Sequence, residues 1–239
     1  TIIKTLLKNL GANFGAAADE NDYYSMASYR YSPVKFEDGK FNAYLKKGGN
    51  DFPWFSNHPG DLSGIPTGEN KYDGVTYNIL DFKTSPVPNC VMLSGFGSKT
   101  KENEVKGIKI GMKCNALFFL HTFNASDKLL KLKNEKNMPA LFKYIVNYTD
   151  GAKIEIPVRW RVDIGNWFDK SPASYANASA AWAGNITADK KGEKAVLYSM
   201  KWLNPNPDKQ IESVDMKYSD EKDKPGAPAL LAITAGVLE

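Results

Sequence analysis

The chain has 239 residues, of which 42% are hydrophobic and 12% aromatic, enough for a well-filled core and too many for an intrinsically disordered protein. Its net charge is only +4, and the 31 basic and 27 acidic residues are interleaved, which argues against a nucleic-acid-binding face. No apolar run approaches the roughly 20 residues that cross a bilayer, so we predict no membrane span.

The first predicted element is a short amphipathic helix at residues 1–11. Its apolar residues lie at helical spacing: Ile3, Leu6, Leu7 and Leu10. Gly11 is a natural stop for such a helix. We interpret residues 1–20 as this helix and a linker, either the tail of an upstream domain or a brace, and residues 21–239 as a β domain.

From Tyr29 onward the pattern is that of short β-strands separated by Gly, Pro, Asn and Asp turns. Residues 29–47 alternate weakly around a turn at Asp38-Gly39. Further strand-like segments follow at 75–79, 90–93, 108–110, 117–123, 144–148, 154–158, 196–202, 211–218 and 229–234. About ten short strands with no βαβ rhythm predict an all-β sandwich of the jelly-roll kind.

Two connections stand out between these strands. Residues 48–70 form a long loop rich in Gly, Pro, Asn and aromatic residues, which is typical of a binding loop or an Ω-loop. Asp150-Gly151 predicts a hairpin with a type I′ turn. Four tyrosines near the start of the β domain form an aromatic cluster that would cover a junction with an upstream domain: Tyr23, Tyr24, Tyr29 and Tyr31.

Several short motifs occur in fixed order between about residues 30 and 235: IPTGENKYDGVTYNILD, ALFFLHT, YIVNYTDGAKIEIPV, DIGNW, AWAGN, LYSMKWLNPNPDKQIESVDM and LLAIT. In this order they resemble the galactose-binding-like β-sandwich modules attached to bacterial glycoside hydrolases and other secreted polysaccharide-degrading proteins. The resemblance implies a jelly-roll fold, an exported location (secreted, periplasmic or on the cell surface) and a carbohydrate-related role. The sequence departs from the pattern of these modules at Trp160, where a small residue is more usual.

The first candidate site for a carbohydrate lies in the long loop. Trp54 has Asn57, His58 and Asp61 close by in sequence. The C–H faces of a sugar ring pack on an exposed indole while its hydroxyls reach polar side chains, so this spacing is typical of a sugar platform. The alternative is that Trp54 plugs the bottom of the sandwich.

The second candidate is Trp160, which is flanked by Arg159 and Arg161. Two arginines beside the indole indicate that one face of this strand end is outside the core. The alternative is that Trp160 stacks on these arginines.

The other tryptophans are predicted to be structural. Trp167 and Trp182 would lock loops onto a sheet, and Trp202 alternates in phase with apolar core residues. His121 ends a very apolar strand, which favours a buried, hydrogen-bonded histidine. Two further alternatives stay open for Cys90 and Cys114, which are either one disulfide of an exported protein or two buried thiols.

Sequence motifs for catalysis or metal binding are absent. There is no zinc spacing, serine-nucleophile elbow, or Walker or Rossmann glycine pattern. A glycosidase needs two carboxylates across a cleft, and the acids near aromatic residues are the first candidates for them: Asp51, Asp61, Asp163 and Asp169. The alternative is that they cap turns or bind calcium. We predict no cofactor, with a structural Ca²⁺ left open.

These observations favour a non-catalytic carbohydrate-binding or accessory module of an exported polysaccharide-processing protein. Its expected partners are a carbohydrate polymer and an upstream catalytic domain. The main rival hypothesis is a purely structural domain packed on a glycoside hydrolase, which requires Trp54 and Trp160 to be buried or to face that neighbour. A small glycan-active hydrolase is the third hypothesis.

Overall fold

The computed structural model of the chain describes residues 28–36, 40–46, 53–82, 87–132, 138–186, 192–219 and 224–239. The predicted N-terminal helix, the boundary at residue 20, the Asp38-Gly39 turn and Asp51 lie outside these residues. Within the described ranges the helical structure is a single turn, α1 (Asp127–Leu130), and no helix there is long and apolar enough to cross a membrane.

The described part of the chain is built almost entirely from β-strands. In chain order these are β1 (Tyr29–Pro33), β2 (Gly68–Tyr72), β3 (Val75–Ile79), β4 (Val91–Met92), β5 (Glu104–Met112), β6 (Ala116–Ala125), β7 (Ala140–Tyr148), β8 (Lys153–Arg159), β9 (Phe168–Asp169), β10 (Ala178–Asn185), β11 (Lys194–Leu203), β12 (Ile211–Tyr218) and β13 (Gly226–Leu238). The predicted long loop therefore ends earlier than expected, since its last residues form β2 and pair with β3.

The strands form two main antiparallel sheets, which confirms a β-sandwich. The larger sheet has the order β1-β13-β6-β11-β10, with β4 beside β13 and β9 beside β11. The smaller sheet has the order β5-β12-β7-β8. Apolar side chains of both sheets fill the interior core between them, where Phe119 stacks on Tyr144 with ring centroids 4.1 Å apart.

The larger sheet is covered on its outer face as well. All ten residues of β6 are buried, although successive side chains of a strand point to opposite faces. Phe119 faces the interior core, whereas Phe118 and Leu120 belong to a second, outer core. The β2–β3 hairpin and the segment 53–66 contribute the buried side chains that close this outer core. The molecule thus has three layers across its centre.

Two Asp-Gly pairs connect hairpins by different turns. In β7–β8 the register pairs Asn147 with Lys153, the Tyr148 N–H donates to the Ala152 carbonyl at 2.9 Å, and Gly151 adopts φ 86°. The predicted type I′ turn at Asp150-Gly151 is therefore wrong, because a three-residue loop closed by a left-handed glycine replaces it. In β2–β3 both Asp73 and Gly74 have positive φ, 48° and 80°, as a type I′ turn requires.

Replacing Gly74 by alanine is expected to lower the free energy of unfolding by about 1–2 kcal/mol, because an L-residue resists a left-handed backbone. No heavy atom lies within 4 Å of a β-carbon built at this position, so the cost is conformational only. Gly64→Ala is the matched control, because its β-carbon would meet its nearest atom at 3.9 Å without a positive φ. Urea unfolding of both variants tests this prediction, and equal losses would contradict it.

Candidate functional site

Trp54 is fully buried in the outer core, so the prediction of an exposed ring is wrong. Its indole packs edge-on against Trp167 with ring centroids 5.5 Å apart, and it contacts Phe55 at 4.5 Å. Its Nε1 is buried and has no hydrogen-bond partner among the described residues. The physical reason is that the segment 53–66 lies on the larger sheet and turns its apolar side chains toward that sheet.

Trp160 is also buried, with 1% of its surface exposed, so the prediction of an exposed indole is wrong here too. Its ring lies in the interior core, 6.0 Å from Phe123, and the Arg161 guanidinium sits 5.6 Å above it. Arg159 instead pairs with Asp163 at 3.0 Å. The alternative of stacking on a neighbouring arginine is therefore correct for Arg161.

The polar residues predicted to surround Trp54 hold the segment 53–66 in place. Asn57 and Asn124 exchange amide hydrogen bonds of 2.8 and 3.2 Å. His58 is buried, accepts the Gly60 N–H at Nδ1 and lies 3.1 Å from Glu193 through Nε2. Asp61 accepts the Ser63 N–H.

The two predicted platforms do not come together. Trp54 lies in the outer core on one side of the larger sheet, while Trp160 lies in the interior core and the neighbouring Arg159 is exposed.

The remaining tryptophans and the internal histidine fit their structural predictions. Trp167 is buried and donates from Nε1 to Asn124 Oδ1 at 3.0 Å, which fixes its loop on the sheet. Trp182 and Trp202 are half-buried against the two cores. His121 is completely buried, 3.0 Å from both the Tyr144 hydroxyl and the Asp163 carbonyl.

The acids near aromatic residues serve as turn caps where the structure describes them. Asp163 accepts hydrogen bonds from the Arg159 N–H, the Arg159 side chain and the Asn177 amide. Asp169 accepts the Ser171 N–H, as Asp61 does from Ser63. In the described ranges no group of three His, Cys, Asp or Glu side chains is arranged to hold a metal ion.

The cysteines are two buried thiols and do not form a disulfide. Cys90 belongs to the outer core and Cys114 to the interior core. Burial raises the pKa of the Cys114 thiol to about 12 and raises that of Cys90 further, so both remain protonated.

A groove that the sequence did not reveal opens on the outer face of the larger sheet, beside the β2–β3 hairpin. This outer groove has a volume of about 490 Å³. Phe118 and Ser199 lie on its floor, the Asp73 turn and Tyr31 lie on one side, and residues 174–179 lie on the other, where the Tyr175 ring packs on Tyr198 of the interior core. Lys201, directly opposite Phe118 in the β6–β11 register, completes its polar lining.

The aromatic side chains of the outer groove form a connected surface. Tyr29 and Tyr31 meet Phe118 edge-on, with ring centroids 5.5 and 5.4 Å apart. Gly236 lies beneath them, since a β-carbon there would approach Phe118 and Tyr29 within 2.8 Å. Tyr31 is half-buried, so part of its ring remains accessible from the groove.

The electrostatics of the outer groove keep the Tyr31 hydroxyl protonated. Partial burial raises the pKa of Tyr31, and the nearby Asp73 carboxylate raises it further. Burial also raises the pKa of Tyr175 and lowers that of Lys201. The groove therefore combines the Tyr31 hydroxyl and aromatic faces with one carboxylate and one ammonium, a set suited to a polyhydroxylated ligand.

Part of the outer groove could be found from the sequence, because Tyr29 and Tyr31 lie on the same face of β1. The remaining lining comes from segments tens of residues apart. Tyr23 and Tyr24 of the predicted aromatic cluster lie outside the described residues.

No protein-family model, curated protein or solved structure matches this chain.

Proposed function

We propose that this chain is a non-catalytic carbohydrate-binding or accessory module, a jelly-roll of the galactose-binding-like kind, in an exported polysaccharide-processing protein. The observation that supports this most is the outer groove, where the half-buried ring of Tyr31, in edge-on contact with Phe118, lies beside polar and charged side chains. Aromatic faces beside hydroxyl, amide and charged groups are what a sugar ring needs for stacking and hydrogen bonding.

The mechanism requires only binding. A module that holds a polysaccharide through the outer groove raises the effective concentration of that polymer for a tethered enzyme. The aromatic rings supply the stacking surface, and the side chains at the rim fix the orientation of the sugar.

Tyr31→Ala is expected to weaken glycan binding about tenfold, because it removes a stacking face of the groove. Affinity electrophoresis of the full chain through gels containing galactan, glucan, xylan or mannan measures this. Phe96→Ala is the matched control, since Phe96 is 43% exposed and does not line the groove. Circular dichroism of each variant separates loss of binding from loss of fold.

The outcomes separate the two main hypotheses. Weaker retardation of Tyr31→Ala, with Phe96→Ala retarded like the parent chain, supports the proposal. A folded parent chain that no polysaccharide retards contradicts it.

A purely structural domain packed on a catalytic neighbour is the second candidate. The specific observation in its favour is the burial of Trp54 and Trp160, which this hypothesis required. The absence of retardation on every polysaccharide in the same experiment would favour it.

A further inference from the structure

We propose that the outer groove selects uncharged glycans and rejects those that carry carboxylates. This inference rests on the proposed function and narrows its ligand class. It concerns the charges that line the groove, whereas the proposed function depends on the aromatic rings.

The charges along the described lining of the groove balance one another. Asp73 and Lys201 are its two charged residues, one of each sign. The lining thus offers no surplus of positive charge to a polyanion.

A carboxylated sugar would meet opposing forces in this groove. Lys201 would attract its carboxylate, but Asp73 would repel it, and the half-buried surroundings would remove part of its hydration. With one residue of each sign in the lining, the attraction and the repulsion offset each other, and the lost hydration of the carboxylate is not compensated.

A neutral sugar fits both charges at once, because a hydroxyl group is a donor and an acceptor. Its hydroxyls can donate to the Asp73 carboxylate and accept from the Lys201 ammonium and the Tyr31 hydroxyl. The raised pKa of Tyr31 keeps that donor in place at neutral and mildly alkaline pH.

The positions of both charges are set by the fold. Asp73 occupies the left-handed first position of the type I′ turn, which places it at the rim of the groove. Lys201 is held opposite Phe118 by the β6–β11 register. Asp73→Asn keeps the turn, because asparagine tolerates the same backbone, while it removes the charge.

The experiment compares each neutral polysaccharide with its own carboxylated form. The full chain is run through gels that contain galactan, glucan or mannan, or the same polymers with the C6 hydroxymethyl group oxidised to a carboxylate. We expect the neutral polymer that binds best to bind at least tenfold more tightly than its oxidised form. Asp73→Asn is expected to strengthen binding of the oxidised polymer and so to reduce the difference between the two affinities. Lys201→Met is expected to weaken binding of both the neutral and the oxidised polymer.

Lys71→Met serves as the charge-matched control, because Lys71 is exposed on β2 and does not line the groove. Lys71→Met should leave the affinities for the neutral and the oxidised polymer unchanged. Oxidised polymer that binds as tightly as the neutral form, or more tightly, overturns this inference and leaves the proposed function intact. If no polymer binds, the proposed function fails and this inference fails with it.

Discussion

Replacing Trp54 by alanine is expected to lower the free energy of unfolding by about 3–5 kcal/mol, as for other fully buried aromatic residues. The side chain is 0% exposed and packs against both Phe55 and Trp167, so its removal leaves a cavity beneath the segment 53–66. For a chain of this length the melting temperature should fall by roughly 10 °C. Urea and thermal unfolding measure both quantities.

Two further variants sharpen this test. Trp54→Phe is expected to cost clearly less than Trp54→Ala, because it keeps most of the buried ring and removes the unpartnered Nε1. Trp182→Ala, a half-buried indole on β10, is the control and should cost about 1 kcal/mol. A Trp54→Ala chain with parental stability and weaker glycan binding would restore the exposed-platform hypothesis and contradict the structure.

The stability of the protein is expected to fall by about 3 kcal/mol between pH 6.5 and pH 4 through His121 alone. Burial lowers the pKa of His121 from 6.5 to about 4, against the smaller raising effects of the Asp163 carbonyl hydrogen bond and of the Asp163 charge. The neutral ring fits its site, since Nε2–H donates to the Asp163 carbonyl and Nδ1 accepts from the Tyr144 hydroxyl.

The sign of the effect follows from proton uptake. Above pH 6.5 the ring is neutral in both the folded and the unfolded chain, so it adds no pH dependence. Between pH 6.5 and 4 the unfolded chain binds one proton more than the folded chain, and each step to lower pH favours unfolding. Below about pH 4 both states are protonated and the loss is complete.

His121→Gln isolates this contribution, because glutamine keeps a donor and an acceptor but does not titrate. Urea unfolding of the parent and the variant from pH 7.5 to pH 4 gives the difference between their curves. Every other titratable group is the same in both chains, so the difference reports His121. Parallel curves would show that His121 is not held neutral by the fold.

The strands that line the interior core, in the smaller sheet and on the facing side of the larger sheet, were predictable from the alternation of apolar and polar residues. Tyr144, Val146 and Tyr148 alternate with half-buried residues in β7, as the sequence indicated. Tyr198 and Met200 face the interior core in phase with the half-buried Trp202. A period of two fixes which side chains share a face of a strand, and one covered face is enough to give that pattern.

The site could not be predicted in the same way. Trp54 was interpreted as exposed because it lies in a long loop, and Trp160 because two arginines flank it, but a loop can pack on a sheet and a buried ring can have charged neighbours in sequence. The type I′ signal of Asp73-Gly74 was present in the sequence and would have indicated the β2–β3 hairpin. Even so, the side of the sandwich on which that hairpin packs is not encoded in its local pattern.

The sequence by itself determined the β-sandwich, the alternating faces of its central strands and the burial of His121, because these depend on residues close together in the chain. Only the tertiary structure decided that a third layer covers the larger sheet, that this layer seals Trp54, and that Cys90 and Cys114 lie in different cores. The outer groove was likewise decided only by the tertiary structure. Its lining comes from β1, the β2–β3 turn, β6, β11 and residues 174–179, which only the packing of the layers brings together.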